Sequence, residues 1–430
     1  MDDKEKQTAR KRIILIVAFL ILGFVLILGL RNWSAIGTKL ANPMRSMLGV
    51  RTVAQIETFV FEIQDAIENV KYQIGVAEPE VPWESDVSVL PSPQDTTPSA
   101  LSPVPATVTP LPDEPPTGED PDQTDASAEA PTDAPAAATA TATNTAVPTP
   151  AGFVLANIES AGRLTGEGIW QPYITNESGE VVGLRTFLQP DPERPYALVA
   201  VAAFDLSKTR LHYVLGLKEP SKPGGPHGYG VIPLEDKQPG VLLAAFNGGF
   251  IAEHGGYGAM ADGVIALAPR SGLATLVIYD DGSVGIGEWG TDFTIDGDYE
   301  SWRQNALPII HNGQINPKVE TGTWIEWGAN LDGATTTLRS SVGLSEDGQV
   351  LYYFAGPSLS MPVLADAMDT AGVHNGMLLD INPTHAHFTA MRVEGGELVA
   401  EPLYEEEMNL WVDRYLHQWD QDFFYLTARE

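Results

Sequence analysis

The C-terminal two thirds of this chain predicts an α+β domain, with packed helices on a largely antiparallel or mixed sheet. Three observations carry that expectation. Apolar runs of strand length follow one another, turn dipeptides separate them, and only two stretches have a helical pattern. Ahead of the domain the same reading places a transmembrane helix, a short coiled-coil-like helix and a disordered stalk.

The elements follow in chain order. Residues 13–30 are apolar and uncharged throughout, and as a helix they would span about 27 Å, close to the hydrocarbon thickness of a bilayer. Lys4, Lys6, Arg10, Lys11 and Arg12 precede the run, and fewer basic residues follow it. It therefore reads as a single-pass signal anchor, with residues 1–12 as a cytoplasmic tail, the lipid bilayer as a partner, and the C-terminal domain outside the cell membrane. Val53, Ile56, Val60, Ile63, Ile67, Val70 and Ile74 recur at alternating spacings of 3 and 4 within an amphipathic helix over 51–75. That is a heptad seam, which predicts a homo-oligomer through residues 53–74; the other reading is an amphipathic helix lying on the membrane or on the domain. Residues 77–150 are Pro, Thr, Ala, Ser and acids, too polar to offset the entropy of ordering, and read as a disordered stalk.

Composition narrows the function classes. A net charge of −32 opposes binding to nucleic acid through a broad basic surface. The absence of cysteine removes disulfides, thiolate metal sites and a Cys nucleophile.

Within the globular segment, 151–430, residues 196–204 and 211–217 read as paired strands around a polar turn. Hairpins are expected at 274–286 around Asp280-Asp281-Gly282, at 340–354 around Glu346-Asp347-Gly348, and at 389–400 around Gly395-Gly396. Helices are expected from Met361 to Ala371 and from Glu405 to Trp419.

The order of motifs resembles the phosphodiester glycosidase family. The matching pieces are AAFNGGF at 244–250, DGVI at 262–265, LVIYDDGSV at 276–284, ALPIIHNGQI at 306–315, LRSSVGL at 338–344, QVLYYFAG at 349–356 and GMLLD at 376–380. Members of the family usually follow the last aspartate with a glycine run and serines, where this chain has Asp380-Ile381-Asn382-Pro383-Thr384-His385. The resemblance implies a membrane-anchored extracytoplasmic hydrolase of glycosyl phosphodiesters in envelope glycans or glycolipids. The alternative is a catalytically inactive glycan-binding accessory protein of the cell envelope.

Cleaving a sugar-1-phosphodiester requires neutralising phosphate charge, stabilising an oxocarbenium-like centre and positioning water or a nucleophile. On that requirement Arg339 is the phosphate ligand, Asp380 the nucleophile or base, and Asn247 the group that orients substrate, with His385 assisting. Gly248, Gly249, His254 and Gly356 are the candidates for substrate binding, the glycines because they allow close approach to backbone N–H groups. No cofactor is required by this reading. A divalent metal held by Asp380, His385 and His387 is the competing use of the His-x-His spacing.

Overall fold

The computed structural model describes residues 50–83, 152–159, 162–327 and 334–429. After α1 (Val50–Gln73) come β1 (Gln171–Thr175), β2 (Val181–Leu188), β3 (Val199–Asp205), β4 (Thr209–Val214) and β5 (Leu242–Asn247). They are followed by β6 (Ala259–Ala261), β7 (Val264–Leu267), β8 (Ala274–Tyr279), β9 (Val284–Glu288), β10 (Tyr299–Asn305), β11 (Pro308–His311) and β12 (Gln314–Ile315). Two single-turn helices, α2 (Lys318–Thr321) and α3 (Trp324–Trp327), lead to β13 (Thr337–Leu344), β14 (Val350–Leu359) and α4 (Met361–Thr370). The chain ends with β15 (Asn375–Leu378), β16 (Phe388–Glu394), β17 (Glu397–Pro402) and β18 (Phe423–Ala428).

The strands form three antiparallel sheets, in the orders β1-β2-β3-β14-β13-β15-β11-β12, β7-β6-β10-β8-β9 and β17-β16-β5-β18-β4. This corrects the expected α+β class. Strand accounts for 37% of the described structure and helix for 12%, so the domain is mostly β. The apolar run 196–204 is explained by double burial. Ala200, Ala202 and Phe204 face the core shared with the other two sheets, while Val199, Val201 and Ala203 pack in a second core with α4. That helix starts at Ser360, whose hydroxyl accepts from Val363 N, and it buries Met361, Leu364, Ala365 and Met368.

Two further expectations change. Residues 196–204 and 211–217 do not pair with each other: β3 lies between β2 and β14, whereas β4 is hydrogen-bonded to β18 in another sheet. The turn at Asp205–Thr209 carries the chain between sheets. No helix spans Glu405–Trp419; turns and one short 3-10 segment, Arg414–Leu416, occupy it. Trp411 has a φ of +50°, in the left-handed region, and a right-handed helix cannot run through such a residue.

The single-pass membrane placement is likewise corrected. Among the described residues no helix is long and apolar enough to cross a membrane, and the stretch expected to do so, 13–30, lies outside them. Most of the expected stalk, 84–150, also lies outside. The described part of the expected stalk, 77–83, ends packed on the domain, contrary to the expectation of disorder: Trp83 is buried, edge-on to Phe187, with the Arg185 guanidinium 4.5 Å from its ring. Helix α1 contacts the domain through Asp65, which accepts from Arg194 Nε (3.0 Å) and Tyr196 Oη (3.0 Å), and through Tyr72, stacked on Tyr196 at 4.7 Å. The oligomer expected through 53–74 gains no support from this arrangement.

Candidate active site

Three chain segments meet at Asn247, the last residue of β5. Its Nδ2 donates to Gly248 O (2.9 Å) and Ser340 Oγ (3.0 Å), and its Oδ1 accepts from Tyr353 Oη (2.9 Å) and His387 N (3.0 Å). Ser340 Oγ donates onward to the main-chain oxygen of Asp380 (2.6 Å), and Asp380 N donates to Gly248 O (3.2 Å). One buried amide thus fixes the ends of β5 and β15 against β13 and β14. All of its side-chain hydrogen-bonding capacity is used within the protein.

Asp380 follows β15 by two residues and is only 5% exposed. Its carboxylate accepts from Asn382 N (2.8 Å) and lies 3.7 Å from His385 Nδ1. The His385 side chain is 29% exposed, and its Nδ1 is 3.1 Å from Gln421 Nε2. The motif between them is a tight turn. Asn382 Oδ1 accepts from Thr384 N and Oγ1, and Asn382 O accepts from His385 N.

Gly248 and Gly249 sit above a buried ion pair. Arg303 Nε donates to Asp422 Oδ2 at 2.7 Å, and the same oxygen accepts from Tyr213 Oη (2.9 Å) and Gly249 N (3.3 Å). A Cβ on Gly248 would fall 2.1 Å from that oxygen, and one on Gly249 would fall 2.8 Å from the Arg303 guanidinium. The glycines are therefore required by the close approach of this pair. Burial, the largest single effect, acts to lower the Arg303 pKa, but Asp422, Tyr213 and Asp380 together outweigh it and leave the group raised.

Beside this centre a cavity of about 720 Å³ is lined by Lys218, Glu219, Lys222, His227, Ala252 and Glu253, among others. Segment 420–422 joins the two: Asp420 O accepts from Lys218 N and Glu219 N, while Gln421 meets His385 and Asp422 meets Gly249. Burial raises the Glu219 carboxyl above its ordinary range, although the backbone N–H groups of Ala252 and Ser221 pull it down. His254 closes the short turn Ala252–His254, whose first two residues line this cavity.

The expected site residues therefore divide. Asn247, Gly248, Asp380 and His385 come together, with Gly249 next to them. Arg339 does not join them. Its neighbour Ser340 bonds Asn247, and side chains alternate along a strand, so Arg339 lies on the other face of β13. There its Nε donates to Leu359 O (2.7 Å) and an Nη to Thr335 O (2.7 Å), which braces the entry to α4. Gly356 is the cross-strand partner of Arg339, and a Cβ there would lie 1.9 Å from Leu198 O, a packing requirement of the sheet. His387 is buried 5.8 Å from the Tyr415 ring, and burial, then the Arg414 charge, lowers its pKa to about 3 despite a hydrogen bond with Val412. Among the described residues no group of three or more His or acidic side chains is gathered as a metal would require. Sequence reading missed Glu219, Ser340, Gln421 and the Arg303–Asp422 pair, which lie outside the motifs it drew on or, for Ser340, beside the residue it chose.

No protein-family model matches the chain, and no curated protein matches it. Among solved structures, the chain is weakly similar to the zebrafish N-acetylglucosamine-1-phosphodiester alpha-N-acetylglucosaminidase catalytic domain auto-inhibited by its pro-peptide. That likeness has 15% identity and a TM-score of 0.36, and covers 60% of this chain and 86% of the other. A hypothetical protein from Synechocystis matches at 10% identity and a TM-score of 0.26, over 60% of this chain and 62% of its own. A Burkholderia pseudomallei protein matches at 11% identity and a TM-score of 0.30, over 54% and 74%. Likeness at these scores carries no argument about chemistry.

Proposed function

We propose that the chain hydrolyses glycosyl phosphodiesters, breaking the bond between the anomeric carbon and the phosphate oxygen. The observation that carries this reading is the buried Asp380 carboxylate beside the partly exposed His385 imidazole. A buried acid next to a solvent-reaching imidazole is the arrangement in which histidine accepts a proton and the carboxylate stabilises the imidazolium that results. Water adds through oxygen to the anomeric carbon, and its proton passes to His385. The C–O bond breaks with its electron pair leaving on the phosphate monoester, a weak base that departs without an acid. Lys222, on the cavity lining, supplies positive charge for the phosphate, the role Arg339 was expected to fill. Asn247 acts behind the site, as the residue that holds Asp380 in place through Ser340.

A second reading is a glycan binder without turnover. The observation favouring it is the placement of Arg339 on the far face of β13, which leaves Asp380 without that guanidinium.

Release of phosphate monoester from alkyl diesters of hexose-1-phosphate and N-acetylhexosamine-1-phosphate separates the two. The hydrolase reading expects turnover that falls by about 10²–10⁴ in Asp380→Asn. Absence of wild-type turnover on every diester would leave only the binder.

A further inference from the structure

We propose that Trp411, Trp419 and Tyr229 form a platform that binds the sugar rings of a glycan chain beside Asp380 and His385. The inference deepens the phosphodiester reading by assigning it a polymeric glycan as substrate, and rests on that reading for the phosphate alone.

The surface is unusual for what it exposes. Trp411 is 61% exposed and Tyr229 82%, and the Trp411 and Trp419 rings lie tilted against each other, 6.3 Å between centres at 57°. Trp419 is half-buried against the core, which fixes its ring, while the Trp411 and Tyr229 rings stand in water, and large exposed aromatics of this kind mark contact sites. The backbone at Trp411, with its φ of +50°, is in a conformation that bulky L-residues avoid. Folding alone favours Gly or Asn there, so an indole held at that position points to a use for the ring.

One buried residue joins the platform to the site. Arg414 lies 5.1 Å from the centre of the Trp419 ring, and it donates to Trp411 O (3.1 Å), to Leu410 O and to Thr384 O (2.7 Å). Thr384 immediately precedes His385. From the other side, Trp419 N donates to Gly230 O (2.7 Å), Gln418 Nε2 donates to Tyr229 O (3.0 Å), and Gln421 meets His385.

The chemistry at the rim selects the occupant. A pyranose has an apolar C–H face for an indole and a rim of hydroxyls for polar neighbours, and the same exposed segment carries Gln418, which donates to Tyr229 O, and the Asp413–His417 pair at 3.0 Å. A lipid surface fits poorly, because Asp413 and Asp420 flank the tryptophans in a chain of net charge −32, which repels anionic headgroups.

The test is isothermal titration calorimetry of the full chain with cellohexaose, maltohexaose and the hexamer of N-acetylglucosamine. Vesicles of phosphatidylcholine with phosphatidylglycerol form a separate arm. At least one hexasaccharide is expected to bind saturably, with affinity lowered tenfold or more in Trp411→Gly and in Trp419→Ala. Trp411→Gly also relieves the left-handed backbone, so its thermal midpoint is expected to hold or rise, which separates lost binding from lost folding. Absence of binding by all three hexasaccharides overturns the proposal, as does equal affinity in Trp411→Gly, or binding only to vesicles. The titration needs no turnover. A chain that cleaves no diester can pass it, and an active hydrolase can fail it.

Discussion

Replacing Asn247 by alanine tests whether one buried amide holds the candidate site together. The substitution removes four hydrogen bonds at 2.9–3.0 Å and leaves the Tyr353 hydroxyl and the His387 N–H buried without their acceptor. Each stranded buried donor costs about 1–3 kcal/mol, and the missing side chain adds a small cavity. The expected loss is about 3–5 kcal/mol, a large share of the roughly 5–15 kcal/mol that stabilises a typical domain. Urea unfolding followed by circular dichroism reads it as a lowered midpoint at unchanged slope. Asn247→Asp keeps the acceptor for Tyr353 and His387 but buries a charge, so its deficit should shrink as pH falls from 7 to 4 and the carboxyl takes up a proton. A loss below about 1 kcal/mol in the alanine variant would refute the keystone role and, with it, the account of how Asp380 is held.

Two further outcomes follow from buried charge. The unfolded chain binds a proton at His387 near pH 6.5, whereas the folded chain does so only at about 3. The stabilisation from a neutral His387 is therefore complete above about pH 6.5 and is lost as pH falls towards 3, by up to about 5 kcal/mol. Urea midpoints for wild type and His387→Phe should converge as pH falls from 7 to 4.5; parallel pH profiles would show that burial does not depress this group. For the Arg303–Asp422 pair, Asp422→Ala should cost about 3–5 kcal/mol by stranding a buried guanidinium, and Arg303→Met should recover part of that loss. A double-mutant cycle with simply additive losses would contradict direct pairing.

The strands were legible because their signals are local. Asp-Asp-Gly between two apolar runs predicts a hairpin, and β8 pairs with β9 around it. Sheet membership is not local. The turn after β3 has the polar composition of a hairpin, and the core shared by the sheets decides that β4 pairs with β18 instead. The misplacement of Arg339 has a similar cause. In a strand, Arg339 and Ser340 face opposite ways, so the sequence alone already shows that only one of them can reach Asp380. The choice between them depends on which face of β13 meets β5, and only the packed sheets establish that.

The turn after Asp380 is held by side chains, with no glycine in it. A glycine run at that place would leave the chain conformationally free. Here Asn382 closes an Asx turn on Thr384, its carbonyl takes His385 N, and Arg414 pins Thr384 from behind. The turn is rigid because side chains, rather than glycines, define it. Its outcome is an imidazole set 3.7 Å from the Asp380 carboxylate and braced by Gln421. Read by motif, the segment is a departure. By geometry, it sets a partly exposed imidazole beside a buried carboxylate, the pair on which the proposed hydrolysis rests.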